Sequence, residues 1–206
     1  MQTPEYEFTS DWFTARSQVW SRLLDEHKPS KLLEIGSWEG RSSCFLIEQC
    51  AATNSIELHC VDTWEGGVEH DRDAMSEVER RFDSNVDVAK SKATGAVRLV
   101  KHKQTSLTAL SSLLAEGRIG YFDFIYIDGS HQAPDVLTDA VLAFPLLKVG
   151  GLMFFDDYLW FYEPEGHQEY YNMPKPAIDS FVNVFYRKIR VIEAPLYQLY
   201  LRKIRA

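Results

Sequence analysis

Cysteine is scarce: Cys44, Cys50 and Cys60 are the only three in 206 residues. An odd count without paired CxxC spacing argues against a disulfide framework or a thiolate metal site. It reads instead as buried free thiols in a reducing compartment. Positive charge is also in short supply. Lys and Arg total 22 against 30 Asp and Glu, for a net charge of −8. The basic face that a nucleic-acid partner requires is therefore not expected. Basic clusters at 187–190 and 202–205 alternate with apolar residues, as the solvent side of a strand does. No apolar run approaches the roughly 20 residues that span a bilayer. The first seven residues are acidic and carry no apolar core of a signal peptide. These absences point to the cytoplasm and away from membranes.

What is present suffices for a core, with 45% hydrophobic and 25% charged residues. No repeat, linker or low-complexity tract interrupts the chain, so a single domain over 1–206 is expected. Residues 1–30 form an N-terminal helical extension, with apolar spacing predicting a helix over 11–27. Strand-like and helix-like segments then alternate: strands at 31–35, 56–62, 96–101, 122–128 and 152–157, helices near 40–51, 73–92, 105–116 and 134–147. Five such βα units predict an α/β fold, a doubly wound and mostly parallel sheet with helices on both faces. A helix near 175–187 and short strands at 189–193 and 196–203 predict a closing antiparallel hairpin. Ligands of such sheets bind beyond the carboxyl ends of the strands.

Several motifs fall at those ends. The first turn reads Glu34-Ile35-Gly36-Ser37-Trp38-Glu39-Gly40-Arg41-Ser42. Gly36 and Gly40 permit a sharp turn and close approach of backbone to a ligand, and the following helix N-terminus offers unpaired N–H groups. Trp38 stands where the dinucleotide fingerprint needs its middle glycine, which disfavours a pyrophosphate and favours a mononucleoside-like cofactor. Asp62 ends the second strand, where a carboxylate can accept from both hydroxyls of a ribose. Thr63 and Trp64 follow it, the indole either against a purine or in the core. A polar loop with Gly66-Gly67 extends to about 73 and is long enough to be functional. Thr105 and Ser106 either reach an adenine edge or cap the next helix.

Asp128, Asp156 and Asp157 close the fourth and fifth strands. Neighbouring strands lie about 4.8 Å apart, so three carboxylates would gather at one point and repel unless a cation or proton intervenes. A hard divalent ion answers that need: Mg²⁺ first, with Mn²⁺ or Ca²⁺ as alternatives. His131, three residues past Asp128, is either a general base or a structural imidazole. The aromatic stretch over 158–176, with Tyr158, Trp160, Phe161, Tyr162, Tyr170 and Tyr171, would be costly to expose in full. It either lines an acceptor pocket or joins two copies of the chain.

These segments resemble the class I S-adenosylmethionine-dependent methyltransferases, and more narrowly the macrocin and mycinamicin sugar O-methyltransferases. The likeness rests on 33–42, Val61-Asp62-Thr63-Trp64, the run from Phe122 to Asp128-Gly129-Ser130-His131, and Gly150-Gly151 through Asp156-Asp157. It implies a Rossmann-like, seven-stranded methyltransferase sheet. It implies a cofactor bordered by Glu34, Gly36 and Gly40, with Ser37, Ser42 and Thr63 in the same turns, and a ribose held by Asp62. It further implies Mg²⁺ at Asp128, Asp156 and Asp157, with His131 as base toward a small-molecule hydroxyl. Catechol-type relatives use a lysine base near the first ligand, and no lysine stands between Asp128 and Lys148. Two other readings stay open: an NAD-linked oxidoreductase, against which Trp38 argues, and a non-catalytic cofactor-binding scaffold.

Overall fold

The computed structural model describes residues 5–66, 75 and 77–206. Its helices are α1 (Ser17–His27), α2 (Arg41–Cys50), α3 (Val78–Lys92), α4 (Ser106–Ala115), α5 (Ala133–Leu146) and α6 (Pro174–Phe185). Its strands are β1 (Lys31–Ile35), β2 (Ile56–Asp62), β3 (Val97–Lys103), β4 (Phe122–Ile127), β5 (Leu147–Phe155), β6 (Ile189–Ile192) and β7 (Leu199–Lys203). They form one seven-stranded sheet in the order β3-β2-β1-β4-β5-β7-β6. The first five strands run parallel; β7 is antiparallel to both β5 and β6. This is the doubly wound sheet and closing hairpin expected from the sequence.

Strand side chains alternate between faces. Leu32, Leu58, Cys60, Phe124, Tyr126 and Phe154 therefore pack beneath α1, α2 and α3. Leu33, Val61, Ile125, Ile127, Met153 and Phe155 pack beneath α4, α5 and α6. Near-continuous apolar strands are what burial on both faces requires. All three cysteines are buried and unbridged.

Boundaries moved most in three places. The N-terminal helix begins at Ser17, preceded by a short 3-10 turn at Thr14–Arg16. The fifth strand starts at Leu147, directly after α5, and bulges: Phe122 pairs Leu147 while Phe124 pairs Leu152. The helix expected from 73 is described from Val78. Residues 67–74 and 76, which include part of the polar loop, lie outside the described residues.

Hydrogen bonds run past the strand ends and align the functional turns on one edge. Gly36 N donates to Val61 O (2.9 Å), Asp128 N to Ile35 O (2.8 Å) and Asp156 N to Ile127 O (3.0 Å).

Candidate cofactor cleft and acidic centre

Gly36 and Gly40 both adopt left-handed backbone, at φ +83° and +80°. A Cβ on Gly36 would meet the Asp128 carbonyl oxygen at 1.9 Å; one on Gly40 would meet the Phe82 ring at 2.9 Å. Only glycine fits either place. Trp38, between them, also has positive φ (+48°).

Glu34 sits under this turn with 0% exposure. Its carboxylate accepts from Ser37 Oγ (2.8 Å), Ser42 Oγ (2.6 Å) and Ser43 Oγ. Burial pushes its pKa up, and the serine hydroxyls oppose that push. The side chains of Glu34, Ser37 and Ser42, expected beside the cofactor, bond to one another within the turn. Ser43 joins them and was not singled out from the sequence.

Asp62 is committed to the same turn. Its Oδ2 accepts from Ser37 N (2.8 Å) and Trp38 N (2.9 Å), and Oδ1 from Trp64 N (2.7 Å). A carboxylate offers about four acceptor positions, so Asp62 has one left for a ribose hydroxyl rather than two. Trp64 is 4% exposed and packs on Phe82 at 4.9 Å, while its Nε1 donates to Trp38 O at 3.0 Å. Of its two expected places, the core is the one it occupies. Thr63 Oγ1 accepts from Glu65 N at 3.2 Å, shaping that turn. Thr105 is the N-cap of α4, accepting from Thr108 N at 3.4 Å. Ser106 is turned to Asp139 of α5. Thr105 takes the capping alternative; Ser106 takes neither of its expected roles.

Glu39 was also missed. It is buried, accepts Thr9 N (2.7 Å), Thr9 Oγ1 (2.8 Å) and Arg81 Nε (2.5 Å), and so ties the N-terminal segment and α3 to the turn. The one local signal was a second acid inside the glycine turn; its partner Arg81 is 42 positions away.

The acidic centre lies one strand over. Ligand atoms of Asp128, His131 and Asp157 all fall within 4.8 Å of one another. His131 Nε2 is 2.8 Å from Asp157 Oδ2, and its ring lies 4.2 Å from that of Trp160. Asp157 has φ +53°, which turns its side chain back over the strand end. Asp156, expected in the same cluster, accepts Asp157 N at Oδ1 (2.7 Å) and the Tyr126 hydroxyl at Oδ2; that hydroxyl also lies 3.0 Å from Asp128 Oδ2. Each Asp156 oxygen takes one protein donor and keeps an acceptor position, and His131 lies beside the carboxylates. Burial, then Asp156 and Asp157, holds the Asp128 carboxyl well above the usual range. Burial and Asp157 push Asp156 to about 6. A divalent cation would relieve that repulsion, and the carboxylate oxygens suit Mg²⁺ or Mn²⁺. The residues present fit such an ion.

A methyltransferase-domain family matches residues 33–158, which contain both turns. The chain belongs to the class I S-adenosylmethionine-dependent methyltransferases. No functionally curated protein matches this methyltransferase significantly. Among solved structures it is similar to an O-methyltransferase from Bacillus cereus in complex with SAH, at 16% identity over 95% of this chain and 84% of that one (TM-score 0.65). It is similar to a putative caffeoyl-CoA O-methyltransferase from Staphylococcus aureus, at 13% identity over 97% and 86% (TM-score 0.64). It is also similar to the MycE methyltransferase of the mycinamycin biosynthetic pathway, solved with Mg, SAH and mycinamycin VI, at 18% identity (TM-score 0.61). That alignment covers 95% of this chain and 51% of MycE. At these identities the likeness is one of fold.

The aromatic segment of the methyltransferase folds partly over the His131 turn. Beside Trp160, Tyr171 OH reaches Gln132 Oε1 at 3.4 Å, and a small cavity is lined by His131, Gln132, Trp160, Tyr162 and Asn172. Tyr158 turns the other way, donating to Asp179 of α6 at 2.7 Å. Tyr170, at 79% exposure, covers nothing.

Proposed function

We propose that this protein, as one domain over 1–206, transfers the methyl group of S-adenosylmethionine to a hydroxyl oxygen of a small molecule, a sugar or a phenol, with a divalent cation. One observation carries the reading: the turn expected to hold the nucleoside and the turn bearing Asp128 touch through backbone, at the Gly36–Asp128 contact. A methyl donor and a cation-held oxygen would thus be neighbours. MycE, solved with Mg and SAH, supports the pairing.

The bound cofactor supplies an already activated methyl group, and the cation a Lewis acid for the acceptor oxygen. The chain's own residues do the rest. Gly36 and Gly40 let the backbone approach the nucleoside. Asp62 holds the turn and offers its remaining acceptor position to the ribose. Asp128, Asp156 and Asp157 would hold the cation. His131 takes the acceptor's proton on the ring nitrogen that does not face Asp157, and Asp157, 2.8 Å from Nε2, holds the resulting imidazolium. Alignment of oxygen, methyl and sulfur supplies much of the rate.

The segment over 158–176 would form the acceptor side, with Trp160 and Tyr162 at its inner surface. Among the described residues no helix is long and apolar enough to cross a membrane; with the net charge of −8, this supports a small-molecule acceptor in the cytoplasm. The test is methyl transfer from labelled S-adenosylmethionine to a panel of sugars and phenols, with and without EDTA. Full turnover in EDTA removes the cation from the mechanism. Absence of SAH binding by calorimetry removes the cofactor reading itself.

A further inference from the structure

The acidic centre has a second flank, away from His131 and Trp160. Tyr197, just before β7, accepts Tyr158 N at its carbonyl oxygen (3.0 Å). Its hydroxyl is a hydrogen-bond partner of Asp157, and its ring stands in the field of Asp157 and Asp156. Over that ring, 3.7 Å from the centroid, lies the Arg16 guanidinium. Arg16 closes the short turn before α1, its N donating to Phe13 O at 2.8 Å. Phe13 is buried and packs edge-on against Trp20 at 4.9 Å. The arginine therefore stands on a fixed base beside the acids.

Arg16 carries a charge that the protein does not match. Among the described residues it makes no ion pair, and its buried Nε has no hydrogen-bond partner. Buried donors are nearly always satisfied, so each exception asks for an acceptor. Its charge does reach the centre: Arg16 and Asp156 act in opposite directions on the Tyr200 hydroxyl. Arg16 is half-buried rather than sealed in. Stacking on a ring occupies one face of a guanidinium and spares its N–H edges, the part that grips an oxyanion. A negatively charged molecule approaching Asp128, Asp156 and Asp157 also needs a positive group to meet it.

We infer that Arg16, shelved on Tyr197, binds an anionic group of the acceptor, so that the hydroxyl compound methylated is an acid: a sugar or phenol bearing a carboxylate or phosphate. This rests on the methyl-transfer reading above.

The experiment compares acceptors in pairs that differ by one anionic group: a dihydroxybenzoate with its methyl ester, glucuronate with glucose, and a hexose phosphate with the hexose. Each is titrated by calorimetry into SAH-loaded protein in EDTA, which keeps a carboxylate on a divalent cation out of the reading. Each is then assayed for methyl transfer with Mg²⁺. In at least one pair the acid should bind about tenfold more tightly than its neutral partner, the scale of one charge-assisted contact. The preferred pair tells carboxylate from phosphate. Arg16→Gln should bring that ratio to about one, raising KM for the acid more than it lowers kcat. Arg16→Lys keeps the charge without the planar fork and should fall between. SAH affinity should stay within about twofold in both variants. A ratio near one in every wild-type pair, or a preference that survives Arg16→Gln, overturns the inference; turnover of the neutral partners then leaves methyl transfer standing. A wild-type protein that binds no SAH overturns the proposed function, and with it this inference. Should Arg16→Gln fail to fold, an undiminished preference in Arg16→Lys is the overturning result.

Discussion

Gly36 and the carbonyl oxygen of Asp128 are so close that a Cβ would stand 1.9 Å from that oxygen. The contact follows from register: β1 and β4 pair Ile35 with Ile127, and the next residue of each strand opens its turn. Gly36→Ala must therefore move the Asp128 turn as well as adopt an unfavourable φ. Overpacking and left-handed strain each cost about 1–3 kcal/mol. The variant should unfold several degrees earlier, and the folded fraction should bind SAH at least about tenfold more weakly. Thermal denaturation and calorimetry measure both; wild-type values in the two would show that the turns are independent.

Asp62 gathers three backbone N–H groups, from Ser37, Trp38 and Trp64. Asp62→Ala strands those donors as well as losing any ribose contact. SAH affinity should fall by about 10–100-fold, using about 1.4 kcal/mol per tenfold. Asp62→Asn, with one acceptor oxygen, should fall between. Equal calorimetric affinity for all three proteins would remove Asp62 from cofactor binding.

His131 lies beside Asp157, not in the glycine turn. His131→Ala should slow methyl transfer by about 10²–10⁴, the usual yield of a general base, with SAH affinity intact. Single-turnover kinetics reads the first and calorimetry the second. A rate within about twofold of wild type would leave the imidazole a purely structural part.

Asp139 on α5 is 2% exposed and lies below Gly129, with Ser106 as its hydroxyl partner. Burial pushes its carboxyl to about 7; Ser106 opposes the push and Asp135 adds to it. From about pH 4 to that value the folded protein holds a proton that the unfolded chain has lost. This group's contribution is therefore full in acid, falls as pH rises through the window, and levels above about 7. Asp139→Asn removes the titration. The variant should gain on wild type by up to about 1.4 kcal/mol per pH unit across the window, read by urea denaturation at pH 5, 6 and 8. Parallel curves would refute the buried-acid assignment.

The sheet was legible because its signals are local. Runs such as Phe122–Ile127 are apolar on both faces, which only a central parallel strand tolerates. The hairpin of β6 and β7 followed from two short strands after the last helix. Asp128 and Asp157 were placed together by adjacency of β4 and β5 alone. Trp64 was ambiguous for the opposite reason: an indole suits a purine or a core equally, and what decides is Phe82, far along the chain on α3. The Tyr126 hydroxyl that bonds Asp156 is likewise invisible in the sequence, on a residue with no expected polar role along an apolar strand.

By itself the sequence determined the order of strands and helices, the glycine turn and the acids at the strand ends, because periodicity and turn chemistry act over a few residues. The tertiary structure decided which polar atoms face the cleft and which are spent on backbone or buried hydroxyls. That choice depends on partners as far apart as 178 positions, as in Trp20 with Gln198. A side chain's hydrogen-bonding capacity is fixed by its chemistry, but only packing decides who uses it.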